Sequence, residues 1–201
     1  MAASPLLRAS SLSLTRGGRD LFHNLSITVL PGELWQVEGA NGAGKTSLMR
    51  ILSGLSRYGF EGTVERSCTP LFLGHKSAVK GMLSPRENLR MHVSGRLQAS
   101  DERIDEALAT VGLVGYENTP CGQLSAGQHR RVNLSRLYLD DSPLWLLDEP
   151  FTAIDKEGVK GLERRMDEHT AAGGAVIVVS HQTLAVQAQL NTLSLGEGTS
   201  P

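Results

Sequence analysis

An α/β architecture with a mostly parallel core sheet follows from three features of this 201-residue chain. Short apolar runs alternate with helical stretches, the order in which strands and crossover helices succeed one another in such folds. Three of those runs, "PLFLGH" (70–75), "LWLLD" (144–148) and "AVIVVSH" (175–181), are apolar without alternation, as strands covered on both faces are. The stretch "GANGAGKTS" (39–47) stands between an apolar run and a helical one, where a strand feeds a phosphate-binding loop.

The elements follow in chain order. "LSITV" (25–29) and "LWQVEG" (34–39) read as strands on either side of the Pro31-Gly32 turn. "KTSLMRILSGL" (45–55) predicts a helix with Leu48, Ile51, Leu52 and Leu55 on one face. Between His75 and Gln123 the texture changes to helix and loop, and a small helical insertion of about 76–128 is expected within a single domain over 1–201. There, "SPRE" places Ser84 at an N-cap, Pro85 at the first helical position and Glu87 at the capping-box return. "DERIDEALATVG" puts Ile104, Ala107, Leu108 and Val111 on one stripe, and Gly112 ends it. Ser125 followed by Gln128 is a second capping box, heading a helix expected to run to about Leu139. The last dozen residues are polar and Gly-rich and are expected to fray.

Composition narrows the functional classes. With 20 basic and 21 acidic side chains, the chain lacks the clustered basic excess of a nucleic-acid or anionic-membrane binder. No run of about 18 apolar residues is present, and the start carries no apolar signal-peptide region. Cys68 and Cys121 are isolated, with no CxxC pair, and read as reduced thiols. His23, His92, His129 and His169 are scattered and read as surface or packing residues.

The chemistry sits in two motifs. In the loop, Gly39, Gly42 and Gly44 let the backbone curl so that successive N–H groups face phosphates, with Asn41 and Ala43 between them. Lys45 supplies charge to the β- and γ-phosphates, the Thr46 hydroxyl is placed for Mg²⁺, and Ser47 can reach the α-phosphate. "LWLLDEP" ends a buried strand in two acids: Asp148 for the Mg²⁺ shell and Glu149 as general base toward the attacking water. The Ser125 helix presents a further set of free N–H groups, more than one nucleotide needs.

"LSAGQ" (124–128), just before "LLDEP", resembles the signature motif of ABC ATPases, and the resemblance covers essentially the whole chain. It implies a P-loop ATPase fold with an N-terminal antiparallel β portion and a small helical subdomain. It also implies a head-to-tail homodimer, in which Ser125, Ala126, Gly127 and Gln128 cover the γ-phosphate of the partner's ATP. By the same resemblance His181 looks like the switch histidine that contacts the γ-phosphate, and Asp155 in "FTAID" crosses the dimer interface. His75 stands where most relatives carry a Gln that senses Mg²⁺ and the attacking water. Arg16 stands where many stack an aromatic ring on adenine; its guanidinium could stack there, or it is simply an exposed Arg, while Phe22 belongs to the core.

"VEGANGAGKTSLMRILSGL", "LGHKSAVKGMLSPRENL" and "QLSAGQHRRVNLSRL" are similar to one branch, the haem-export ATPase subunits of bacterial cytochrome c maturation. That branch implies a peripheral subunit on the cytoplasmic face of the inner membrane, with separate integral membrane partners, powering haem export or haem release from its chaperone. No CxxCH is present, so haem is an indirect partner at most. Val79, Met82 and Leu83 either grip the membrane subunit or belong to the helical core. Three rival readings are an exporter of another cargo, a DNA-repair or translation ABC protein, and a P-loop kinase or GTPase. The second would carry a long coiled-coil insertion or two ATPase domains, and the third leaves "LSAGQ" and "VVSH" unexplained.

Overall fold

The structure, a computed structural model, describes residues 4–91 and 99–196, so His92 lies outside the described residues. Two compact units are present: one comprises 4–75, 142–150 and 166–196, the other 76–141 and 151–165.

The first unit contains two sheets. Strands β1 (Leu7–Arg16) and β2 (Arg19–Val29) form an antiparallel hairpin, and β4 (Glu61–Arg66) pairs with the other edge of β1. The hairpin turns at Gly17 and Gly18, with φ of 58° and 73°, the left-handed values that a two-residue turn matched to strand twist requires. The second sheet is wholly parallel: β3 (Leu34–Gly39), β5 (Leu71–Leu73), β6 (Leu144–Asp148), β7 (Ala175–Val179) and β8 (Leu190–Leu195) lie in the order β5-β6-β7-β3-β8. Every residue of β6 and β7 is buried, which explains their unbroken apolar sequences.

Strand β8 lies within the stretch expected to fray. "LNTLSL" alternates, with Asn191, Leu193 and Leu195 on its less exposed side, and it runs in register along β3 from Leu34↔Leu190 to Gly39↔Leu195. Its partner is some 150 residues away in sequence, so the pairing is invisible to local composition.

Helix α1 (Lys45–Leu52) buries Leu48, Met49, Ile51 and Leu52 in the core that the two sheets share with Phe22, Val37 and Val179. It stops short of the expected Leu55, because Gly54 takes φ 82° and ends the turn. Arg66 from β4 closes that end, donating from Nε to the Leu52 carbonyl (2.6 Å) and from Nη2 to the Ile51 carbonyl (2.6 Å). A cation there complements the negative end of the helix dipole.

In the second unit, α2 (Pro85–Arg90), α3 (Asp101–Thr110) and α4 (Ala126–Leu134) gather Leu89, Ile104, Leu108, Leu113 and Val132 into a small core. Both expected capping boxes are formed, at Ser84 with Glu87 and at Ser125 with Gln128. Arg86 forks onto Asp105, tying α2 to α3. The α4 geometry ends at Leu134 and continues as a 3₁₀ turn over Ser135–Tyr138, short of the single helix to Leu139. Ser135 Oγ donates to the Val132 carbonyl (2.8 Å), back-bonding of the kind that bends a helix. Arg136 is buried, donates to Asn133 Oδ1 (2.9 Å) and the Ala78 carbonyl (3.1 Å), and burial lowers its pKa to about 10.

Helix α5 (Lys156–Ala171) ends near a buried stack in the first unit. The His169 ring stacks on Trp145 of β6, with centroids 3.6 Å apart and planes nearly parallel at 7°. Gly174 makes room for it, since a Cβ there would stand 2.3 Å from His169 Nε2. Gly174→Ala is therefore expected to expel the imidazole from Trp145, lowering stability by about 2–3 kcal/mol. Urea unfolding followed by tryptophan fluorescence measures it; an unchanged midpoint would show that the stack yields without cost.

Candidate functional site

Apart from Arg16, each candidate residue of the first unit sits at the carboxyl edge of the parallel sheet, where α/β sheets place their ligands. The loop from Gly39 to Lys45 leaves the end of β3 and enters α1. Gly39 has φ 144°, and a Cβ there would come within 2.4 Å of the Leu195 carbonyl oxygen, so only glycine lets the loop leave the sheet here. Gly44 occupies the N-cap with φ 98° and offers no side-chain cap, and no acidic residue lies in the first turn of α1. The N–H groups of that turn thus face a site without an internal acceptor, unlike those capped by Ser84 and Ser125.

Lys45 is only 7% exposed. Its ammonium donates to the carbonyls of Gly39 (2.6 Å) and Ala40 (3.1 Å), so the loop closes around its own cation. Asn41, Gly42 and Thr46 are exposed, Ser47 is half-buried, and Ala43 is buried beneath the loop.

Asp148 is the last residue of β6 and is 1% exposed. Glu149 follows with φ 50°, a left-handed conformation that costs a non-glycine residue about 1 kcal/mol. Its backbone N–H donates to the Val179 carbonyl (3.1 Å), anchoring the turn to β7. Two imidazoles clasp its carboxylate: His75 Nδ1 stands 3.4 Å from Oε2 and His181 Nε2 stands 3.8 Å from Oε1. His75 follows β5 and His181 follows β7, the two neighbours of β6, so strand order alone brings the three together.

Arg16 is exposed at the tip of the β1–β2 hairpin, opposite Arg19. Phe22 is buried in the core.

The second unit holds Ser125, Ala126, Gly127, Gln128 and Asp155. Ser125 Oγ accepts from the Gln128 N–H (3.2 Å), and Gln128 Oε1 accepts from the Ser125 N–H (2.8 Å). Gly127 lies against the segment before α5: a Cβ there would stand 3.0 Å from the Ala153 carbonyl. Asp155 is held by Arg131 of α4 (2.9 Å) and by the Gly158 N–H (2.9 Å). The Gly158 hydrogen bond, then the Arg131 charge, keep its carboxyl below the usual aspartate range. Met82 is 94% exposed, whereas Val79 packs partly against the helical core and Leu83 is half-buried.

Sequence reasoning passed over Gln36, Arg66 and Arg131. Gln36 left one signal, a lone amide inside the apolar run "LWQVEG". Arg66 and Arg131 left none, because what each holds is backbone or a carboxylate far along the chain.

Comparison with known proteins agrees with this geometry. Residues 22–152 match the ABC transporter family. The cytochrome c biogenesis ATP-binding export protein CcmA of Hahella chejuensis (strain KCTC 2396) is 46% identical over 96% of this chain and 97% of its own length. The protein of the same name from Methylococcus capsulatus (strain ATCC 33009 / NCIMB 11132 / Bath) is 46% identical over 97% of this chain and 100% of its own. Among solved structures, an ATP-binding cassette in a dimeric post-hydrolysis state bound to ADP and Pi superposes with a TM-score of 0.82. It covers 95% of this chain and 97% of its own at 20% identity, a likeness of fold. A loop that closes on Lys45, a carboxylate between two histidines and a family match across most of its length make this chain a member of the ABC transporter family.

Proposed function

We propose that this chain is the ATP-binding and ATP-hydrolysing subunit of an ABC transporter for cytochrome c biogenesis, powering haem export or haem release from its chaperone. The observation that carries the reading is the clasp of His75 and His181 on Glu149, with His181, Glu149 and His75 following the first, second and third strands from β3. In a parallel sheet those ends share one edge, so phosphate-binding and water-activating groups serve one nucleotide. The chain acts as one ATPase domain over 1–201, with a helical subdomain inserted at about 76–128.

ATP takes the loop of Gly39, Asn41, Gly42, Ala43, Gly44, Lys45, Thr46 and Ser47. Lys45 exchanges its two carbonyl partners for β- and γ-phosphate oxygens, and the uncapped first turn of α1 offers its N–H groups to the same charge. Asp148 and the Thr46 hydroxyl fit Mg²⁺: both are hard oxygen donors, and one carboxylate suits an ion that completes its shell with water and phosphate. When bound, that ion neutralises charge developing on the phosphates. Glu149 accepts the proton of the attacking water, and His181 donates to the γ-phosphate while fixing the carboxylate. His75, on the other carboxylate oxygen, takes the place of the usual Gln. Arg16 stacks on adenine.

Hydrolysis proceeds in a homodimer in which each signature loop covers the partner's nucleotide. Ser125 is suited to this, because its oxygen accepts from Gln128 and its own proton remains to donate to a phosphate. Ala126, Gly127 and Gln128 complete the cover, and Asp155 crosses the interface. Excluding water between the two chains strengthens each of these charge interactions. Among the described residues no helix is long and apolar enough to cross a membrane, which supports a peripheral subunit joined to separate integral membrane partners at the cytoplasmic face of the inner membrane.

Glu149→Gln is expected to lower ATP turnover by at least about 100-fold while ATP affinity stays near that of the parent. Hydrolysis near the parent rate removes Glu149 as the base. Ser125→Arg is expected to abolish ATP-dependent dimerisation in size-exclusion chromatography and to spare nucleotide binding by the monomer; dimers that persist refute the shared site. His75→Gln is expected to retain most hydrolysis, and its collapse would place His75 among the catalytic groups. Tagged Glu149→Gln, pulled from detergent-solubilised membranes with ATP and Mg²⁺, is expected to bring down cytochrome c maturation membrane subunits. An unrelated permease would keep the ATPase and replace the cargo.

A further inference from the structure

We infer that Gln36 is a positioning residue for the reaction, holding the loop that carries His181. This rests on the ATPase reading proposed above. Gln36 is 4% exposed in the middle of β3, opposite Val178 of β7 and Thr192 of β8. A buried amide in a parallel strand weakens the sheet unless its donors and acceptor are used, so its placement asks for a reason.

Its partners supply one. Strand β7 ends at Val179, and the next three residues leave the ladder. Gln36 Nε2 donates to the carbonyl oxygens of Ser180 (3.3 Å) and Gln182 (3.1 Å), the residues on either side of His181. The turn is closed from within as well. Ser180 Oγ accepts from the Gln182 N–H (3.1 Å) and donates to the Gln182 carbonyl (3.2 Å). One amide thus fixes both backbone flanks of the histidine, from a strand whose register is set by two neighbours. Leucine or valine would fill the space but leave those two carbonyls, which lie beyond the last ladder bond, without that donor.

The imidazole itself is exposed and reaches Glu149 Oε1 at 3.8 Å, longer than a hydrogen bond. Its direction is therefore set by the backbone beneath it. Gln36 contacts the backbone on either side of His181 and acts through it, and the consequence falls on the chemical step. A misplacement of about 1 Å at such a group costs up to about 100-fold in rate.

The test uses the full chain. Gln36→Met keeps the length and removes both donors, and it is expected to lower kcat for ATP hydrolysis about 10- to 100-fold. KM, and the affinity for a non-hydrolysable ATP analogue, are expected to stay within about threefold of the parent. A cycle with His181→Ala, read in single turnover, separates positioning from general loosening. If Gln36 acts through His181, Gln36→Met changes that background by less than about twofold. A kcat near the parent value, or the same fold loss with His181 already removed, overturns the inference. Should Gln36→Met not fold, Gln36→Asn, one methylene too short to span both carbonyls, enters the same cycle.

Amide hydrogen exchange at Gln182 needs no hydrolysis and is expected to quicken at least about tenfold in the variant. Unchanged protection overturns the clamp. A parent chain that fails to hydrolyse ATP defeats the ATPase reading, and the exchange measurement then judges the clamp by itself.

Discussion

The position of β3 between β7 and β8 is the constraint on which the first unit depends. Strand β3 carries the phosphate loop, its neighbour β7 carries His181, and the next strand, β6, carries Asp148 and Glu149. Parallel pairing sends all three carboxyl ends to one edge, so the registers Val37↔Val179 and Asp148↔Val179 determine which residues emerge together. Gly39 marks how tight this is: the Leu195 carbonyl occupies the space that any side chain would need. The sheet itself therefore requires the glycine.

The two units treat their helix ends in opposite ways. Helices α2 and α4 begin with hydroxyl caps and a reciprocal Glu or Gln, which satisfy the first-turn amides locally. Helix α1 begins with glycine and a left-handed turn, leaving those amides to an external acceptor. On the proposed reading, the same distinction would separate two ways of meeting phosphate. The α1 end needs an anion to be complete, whereas the Ser125 end is complete without one and offers a hydroxyl proton in addition.

Legibility in the sequence followed the range of the interactions. Strand β6 was legible to the residue because burial on both faces gives an uninterrupted apolar run, and β3 because its apolar residues lie between the Pro31-Gly32 turn and the Gly39 loop. Strand β4, "EGTVER", and β8 were not legible as strands: β4 has Val64 as its one apolar side chain and β8 is half polar, and each becomes a strand only when a distant partner pairs with it. Helix α5 was missed because two glycines and many charges blur its apolar stripe. The helix after Ser125 was read too long, since Ser135 looks like any other helical serine until its hydroxyl turns back on Val132. The candidate site was legible where chemistry demands a fixed local spelling, as in the Lys45 loop and the Asp148-Glu149 pair. The contact of His75 with Glu149 has no local spelling, because it follows from the adjacency of β5 and β6.

The Lys45 contacts bear on how the subunit endures between turnovers. A buried ammonium without partners would be costly, and two carbonyls of its own loop supply them. On the proposed ATPase reading, loading with nucleotide would swap oxygen acceptors around a cation already largely removed from solvent. Exchange of one set of oxygens for another would leave the lysine paired throughout, so the proposed cycle would never expose a bare buried charge.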